Sequence, residues 1–108
     1  MYMYAIYLAM ALNDLSRFTG FEWDAGNRDK NQLKHRVSPS ECEQAFFNQP
    51  MLLLDDPKHS ALEARWLLLG RTDEDRLLTL VFTARGSKIR VISARDMQKK
   101  EKELYRHG

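Results

Sequence analysis

Leu77 to Arg95 reads LLTLVFTARGSKIRVISAR, and the architecture is worked outward from it. Leu77 to Ala84 is an apolar run with Val81, Phe82 and two threonines, residue types that a pleated, half-buried surface accepts. Arg85-Gly86-Ser87 interrupts the run, and Gly86 supplies the positive φ that a tight connection often demands. Lys88 to Ala94 resumes with β-branched Ile89, Val91 and Ile92, so the stretch predicts two strands folded back on each other. Strict alternation sets Arg90 and Ile92 on one face and Ile89, Val91 and Ser93 on the other. Between Arg76 and Lys100 there are seven Lys or Arg against one acid, Asp96. A cationic sheet face is a plausible seat for a phosphodiester backbone. Arginines on strands also serve as plain solvated surface, and composition alone favours that plainer role.

Ala64 to Arg71 precedes the hairpin and predicts a strand with Trp66, Leu68 and Gly70 on one side and Arg65, Leu67, Leu69 and Arg71 on the other. Leu67 to Leu69 is apolar on both faces, which places the strand inside the sheet. Met51 to Leu54 is a short strand, separated from Ala64 by the polar segment Asp55-Asp56-Pro57-Lys58-His59-Ser60. Further back, Ser38-Pro39-Ser40-Glu41 is a capping box with proline at the first helical position. Cys42, Ala45 and Phe46 follow at helical spacing, Phe47 widens the apolar stripe, and Pro50 ends the helix. Asp24 caps an earlier helix, Asn27 to Arg36, whose Lys30, Lys34 and His35 fall on its exposed side. Phe21-Glu22-Trp23 is a short β-prone piece, and Asp96 starts a closing helix over Met97 to Arg106. The expected fold is α+β: two N-terminal helices and a C-terminal helix on a four-stranded antiparallel sheet, with one sheet face covered and the other free. The free face would carry Arg65, Arg71, Thr79, Thr83, Arg85 and Arg90.

With 108 residues, 44% of them hydrophobic and 30% charged, the chain is sized for one domain and one core. A net charge of +2 is too mild to name a partner, but the acids gather at Asp55-Asp56 and Asp73 to Asp75, away from the hairpin. Cys42 is the one cysteine, so no internal disulfide forms, which fits a reducing compartment. No run approaches the roughly 20 apolar residues of a membrane span. Met1 to Leu15 is apolar without a preceding Lys or Arg, and is read as a docked helix with Tyr2, Ile6 and Met10 on one face or as an extension outside the core, in preference to an export signal. Residues 1–20 are accordingly set apart from a domain over 21–108.

No metal-ligand spacing, phosphate loop or nucleophile elbow appears, so no metal or cofactor is expected. One constellation carries chemistry: His59, Glu63 and Arg65, with Lys34-His35 and Arg90 or Arg95. Metal-free RNA cleavage needs a base for the 2′-hydroxyl proton, an acid for the leaving oxygen, and fixed cations for the charge that builds on phosphorus. Histidine exchanges protons near neutral pH, and the planar arginine fork suits non-bridging oxygens. On the residues alone, a loop histidine, an ion-paired glutamate and a surface arginine explain the same positions.

The pieces FEWD at Phe21 to Asp24, N-x-x-KH at Asn31 to His35, VSPSE at Val37 to Glu41 and F-x-x-x-P at Phe46 to Pro50 stand in order, followed by D-x-x-H-x-x-x-E-x-R at Asp56 to Arg65. LG-R at Leu69 to Arg71, T-x-R at Thr83 to Arg85 and IRVISAR at Ile89 to Arg95 complete the set, with a terminal helix bearing Glu and Tyr. In this order and spacing the chain resembles the BrnT family, the toxin halves of BrnT/BrnA toxin–antitoxin pairs, over roughly four-fifths of its length. The resemblance implies a RelE-like fold and a cytoplasmic endoribonuclease that stops translation. It also implies an RNA substrate and neutralisation by a BrnA-type antitoxin that binds operator DNA. Under it, Arg65, Arg90 and Arg95 would hold the scissile phosphate, His35 or His59 would carry the proton, and Glu63 would orient an arginine or act as base. Lys34, Arg71, Thr83 and Arg85 would contact the substrate. The alternative is a non-catalytic module that binds nucleic acid or an acidic protein. Family members commonly carry glycine after the helix-ending Lys-His. Here Arg36 stands in that place, where a left-handed conformation would cost about 1 kcal/mol.

Overall fold

The computed structural model describes residues 15–55 and 63–107. The stripe of Tyr2, Ile6 and Met10 and the candidate His59 lie outside the described residues. In chain order the elements are β1 (Gly20–Phe21), α1 (Ala25–His35), α2 (Pro39–Phe47), β2 (Leu52–Asp55), β3 (Arg65–Arg71), β4 (Leu77–Arg85), β5 (Lys88–Asp96) and α3 (Lys99–His107). The strands form one sheet in the order β1-β5-β4-β3-β2.

The hairpin read from Leu77 to Arg95 is β4 and β5, joined at Gly86 with φ +60°. β2, β3, β4 and β5 pair antiparallel in sequence, as expected. The four-stranded antiparallel expectation is corrected at the other edge: β1 pairs parallel with β5, Gly20 with Lys88 and Phe21 with Ile89, making a five-stranded mixed sheet. Local pattern shows that Phe21 is β-prone but not which distant strand it joins. The ladder continues past β1 by substitution. Glu22 N–H donates to the Ile89 carbonyl at 2.8 Å, and the buried Asn27 amide donates to the carbonyls of Val91 (3.0 Å) and Glu22 (3.1 Å). The same Asn27 accepts from Asp24 N–H while its own N–H donates to Asp24, so it caps α1 and ties it to β5.

Between Phe82 and Val81 the register of β5 slips by one residue: Phe82 faces Val91, but Val81 faces Ser93. Ile92 is the extra residue of a β-bulge. Strict alternation is therefore corrected beyond Val91. Ser93 joins the face of Arg90, and so does Arg95, whose partner Thr79 lies on the same face of β4 as Arg90's partner Thr83.

The two faces are covered by different helices. α2 is anchored by its capping box, with Glu41 N–H on Ser38 Oγ and Ser38 N–H on Glu41 Oε1, both 3.1 Å. It packs Cys42, Ala45 and Phe46 with Val37 onto Leu53, Leu68, Leu80, Phe82 and Val91. The approach is close enough that a Cβ on Gly70 would stand 2.9 Å from the Ala45 carbonyl oxygen. Phe47, expected inside, points outward. The expectation of one covered and one free face is corrected as well. Leu104 and Tyr105 of α3 pack on Leu52, Leu69 and Met97 across the opposite face, where the Tyr105 hydroxyl donates to the Pro50 carbonyl at 2.7 Å. The apolar character of β3 on both faces is the reason, since each side needs a cover. Among the described residues, the part of that second face beside Arg65 and Arg90 forms a cleft.

Arg36 closes α1 in the left-handed region, φ 56°, with its N–H on the Gln32 carbonyl at 3.1 Å. Arg36→Gly is expected to stabilise the domain by about 1 kcal/mol, because glycine takes this conformation without the Cβ clash. Urea unfolding measures it, and a destabilised variant would show that the Arg36 side chain contributes more than its backbone costs.

Candidate functional site

Arg65, Thr83 and Arg90 are register partners in one row across β3, β4 and β5. Two strand spacings, roughly 10 Å, separate the backbones of the two arginines, and residues in register share a face. Thr83 between them is 2% exposed and donates to the Ala64 carbonyl at 2.6 Å, so it braces the start of β3 rather than presenting a hydroxyl. Arg65, Arg85 and Arg90 line a cleft of about 250 Å³ together with Glu63, Ile92 and Lys30. Gly26 and Asn27 complete the wall contributed by α1.

Four cations thus converge from three strands and a helix. Glu63 lies between two of them, 3.8 Å from Arg65 Nη2 and 3.4 Å from Arg85 Nη2. Arg90, with 20% of its side chain exposed, donates through Nη1 to Glu22 (3.0 Å) and to Asp24 (2.8 Å). The hydrogen bond from Arg90 holds the Asp24 carboxyl below its ordinary range, with the Asn27 backbone bond adding to it. Arg90 is held above its own ordinary range, first by Asp24 and then by Glu22, against the effect of burial. The two carboxylates fix the direction of the guanidinium before any ligand arrives.

The other sequence candidates stand elsewhere. Arg95 shares the sheet face but lies under α3, where it forms a bidentate pair with Glu101 at 2.7 and 2.8 Å. Thr79 Oγ1 and Gln98 N–H also donate to Glu101 Oε1. Burial pushes the Glu101 carboxyl up, but Arg95, Gln98 and Thr79 outweigh it and leave it below its ordinary value. Arg71 donates to the Gln49 carbonyl (2.9 Å) and to Asp75 (2.8 Å), closing the β3–β4 turn. Lys34 is exposed one helical turn beyond Lys30. His35 ends α1, its carbonyl accepting from Arg76. None of these four lines the cleft.

Sequence reasoning left Lys30, Asp24 and Glu22 out of the site. Lys30 had a signal, the i, i+4 spacing with Lys34 on the exposed side of α1. The two carboxylates had none, because their partner is more than sixty residues away and the parallel pairing of β1 brings them to it. Among the described residues no three His, Cys, Asp or Glu side chains cluster as a metal site, and no helix is long and apolar enough to cross a membrane.

A family profile described as "Ribonuclease toxin, BrnT, of type II toxin-antitoxin system" matches residues 23–101. Among solved structures, a 1.1 Å crystal structure of the Brucella abortus ribonuclease toxin BrnT is similar, with a TM-score of 0.54 and 20% sequence identity. The match covers 75% of this chain and 99% of that one. No curated protein matches.

Proposed function

This chain belongs to the BrnT family of ribonuclease toxins of type II toxin–antitoxin systems, and on that premise we propose that it is an endoribonuclease that cleaves RNA without a metal ion. The observation that carries the reading is the convergence of Arg65, Arg85, Arg90 and Lys30 on one cleft beside Glu63. Arginine forks match the non-bridging oxygens of a phosphodiester and act where negative charge grows in the transition state. In the proposed reaction the ribose 2′-oxygen attacks the adjacent phosphorus, losing its proton to a base. The bond to the 5′-oxygen breaks as that oxygen takes up a proton, leaving a 2′,3′-cyclic phosphate and a 5′-hydroxyl. Glu63, placed against two arginines, orients them and stands within the site as a base. His59, four positions before Glu63 in the chain, is the proposed proton carrier. Arg95 and His35, which do not line the cleft, support the fold around it in this reading.

The wider biology follows the family. RNA is the target, arrest of translation the consequence, the cytoplasm the setting, and a BrnA-type antitoxin that binds operator DNA the neutralising partner. Residues 21–108 form the toxin domain of this proposal, with 1–20 as an extension to it.

Incubating the purified protein with a defined RNA in excess chelator tests the chemistry. Cleavage is expected to persist and to leave 2′,3′-cyclic phosphate ends. Loss of cleavage that added magnesium restores would overturn the metal-independent route.

A further inference from the structure

A second row of residues crosses the sheet edge next to the cleft. Arg85 of β4 pairs with Lys88 of β5, and Lys88 with Gly20 of β1. Arg85 and Lys88 are both exposed. The Lys88 stem lies along Gly20, its Nζ 3.2 Å from where a Cβ on that residue would stand, so the ammonium rides over the edge strand with no side chain beneath it. Beyond this rim opens a groove of about 290 Å³ between β1 and α2, walled by Phe18, Phe21, Phe46 and Phe47. Phe47 is 75% exposed and meets Phe21 edge to face with ring centroids 6.2 Å apart. The Arg17 guanidinium sits 4.9 Å above the Phe18 ring.

We propose that this groove is a second RNA subsite, in which unpaired bases flanking the cleaved nucleotide stack on Phe47 and Phe21. Arg85 and Lys88 carry the intervening backbone round the sheet edge from the cleft. The proposal rests on the reading of the cleft as the site of RNA cleavage. Every base has a π-face, so stacking on an aromatic side chain combined with cations along the backbone binds single strands with little sequence preference. The row from Arg85 to Gly20 spans two strand spacings, roughly 10 Å, within reach of a short run of nucleotides. The apolar anchor of a polypeptide would also fill the groove. The cations leading from it into the cleft favour RNA, because Arg17, Lys88 and Arg85 give the path the charge that a phosphate backbone complements. Glu43, the acid on this side of α2, is turned to the Trp23 indole N–H at 2.9 Å.

Equilibrium titration with uncleavable 2′-O-methyl oligoribonucleotides tests the subsite. A trinucleotide is confined to the cleft, whereas a dodecanucleotide reaches the groove. Phe47→Ala is expected to weaken dodecanucleotide binding about tenfold and to leave trinucleotide binding unchanged. Lys88→Ala is expected to lower the slope of log affinity against log salt by about one for the longer strand. Both side chains are exposed, so wild-type melting temperatures accompany these changes. Equal affinity of Phe47→Ala and wild type for the dodecanucleotide overturns the subsite, while trinucleotide binding by the wild type keeps the cleft reading. Binding of neither strand by the wild type overturns both. Unchanged RNA affinity with loss of binding to a purified antitoxin would give the groove to a polypeptide and overturn the proposal. A shift in sedimentation of free Phe47→Ala with RNA affinity unchanged would do so in favour of a second copy of the chain.

Discussion

Arg65→Ala is expected to slow RNA cleavage by about 10²- to 10³-fold, the usual loss when one fixed donor to a developing oxyanion is removed. Arg65 is the arginine of the cleft that enters from β3, directly across Thr83 from Arg90. It is also the one whose neighbour in the chain, Glu63, reaches across to Arg85. Removing it takes away a planar pair of donors and leaves Glu63 against a single arginine. Arg65→Lys keeps the charge but not the fork and is expected to recover only part of the rate. Single-turnover cleavage of a short RNA by the three proteins gives the comparison, with melting temperatures recorded for each. A folded Arg65→Ala protein that cleaves within a few-fold of wild type would remove the cleft from the mechanism.

The largest expected effect on stability falls on Arg76→Met. Arg76 ties together the ends of three elements. Its Nε donates to Asp96 at the end of β5 (2.7 Å), and its Nη1 to Glu41 in the first turn of α2 (3.0 Å). Nη1 and Nη2 also donate to the carbonyls of Arg36 (2.8 Å) and His35 (3.2 Å) at the end of α1. These carbonyls lack helical partners, and the left-handed Arg36 turns the chain toward the guanidinium. Methionine of similar length takes the guanidinium donors away from two carboxylates and two carbonyls, and leaves Glu41 with its bonds from Ser38. With 28% of the side chain exposed, solvent recovers part of the loss. The net cost is about 2–3 kcal/mol, or roughly 10–20 °C in melting temperature for a domain of this size.

The same network gives the domain an acid limit. The hydrogen bond from Arg76 holds the Asp96 carboxyl below its ordinary value. Burial pushes Glu41 up, but the Ser38 backbone and Arg76 outweigh it and leave it lowered too. Groups with depressed values in the folded state stabilise it at pH above their ordinary range, roughly 4. That contribution is lost as pH falls through the folded values. Wild-type stability is therefore expected to drop more steeply than that of Arg76→Met below roughly pH 4, which urea unfolding across pH reads directly. Parallel curves would show that Arg76 does not set these carboxyls.

Local chemistry made several elements legible. The capping box at Ser38 to Glu41 is complete within four residues, and its helix starts where that reading puts it. The hairpin needs only β-prone runs on both sides of Gly86. The left-handed turn at Arg36 is signalled only by the family resemblance, which commonly sets glycine there; the local pattern runs the helix through Arg36, whereas it ends at His35. Other features depend on distant partners. Phe47 completes an apolar stripe in the sequence, but α2 approaches the sheet along Cys42, Ala45 and Phe46, and that approach turns Phe47 away. Arg95 and Arg90 have the same chemistry and lie on the same strand. Glu101 of α3 takes one, while Asp24 and Glu22 aim the other toward the cleft.

By itself the sequence determined the strand and helix periods, the order of the antiparallel strands, the cationic character of the hairpin and the family to which the chain belongs. Each of these is written in residues near one another or in an ordered set of short motifs. Tertiary structure alone decided the parallel edge strand, the bulge at Ile92, the helix on the second face, and which arginines share a cleft. A one-residue slip in a strand reverses every side chain beyond it, and pairing between residues as far apart as Glu22 and Arg90 leaves no trace in the pattern around either.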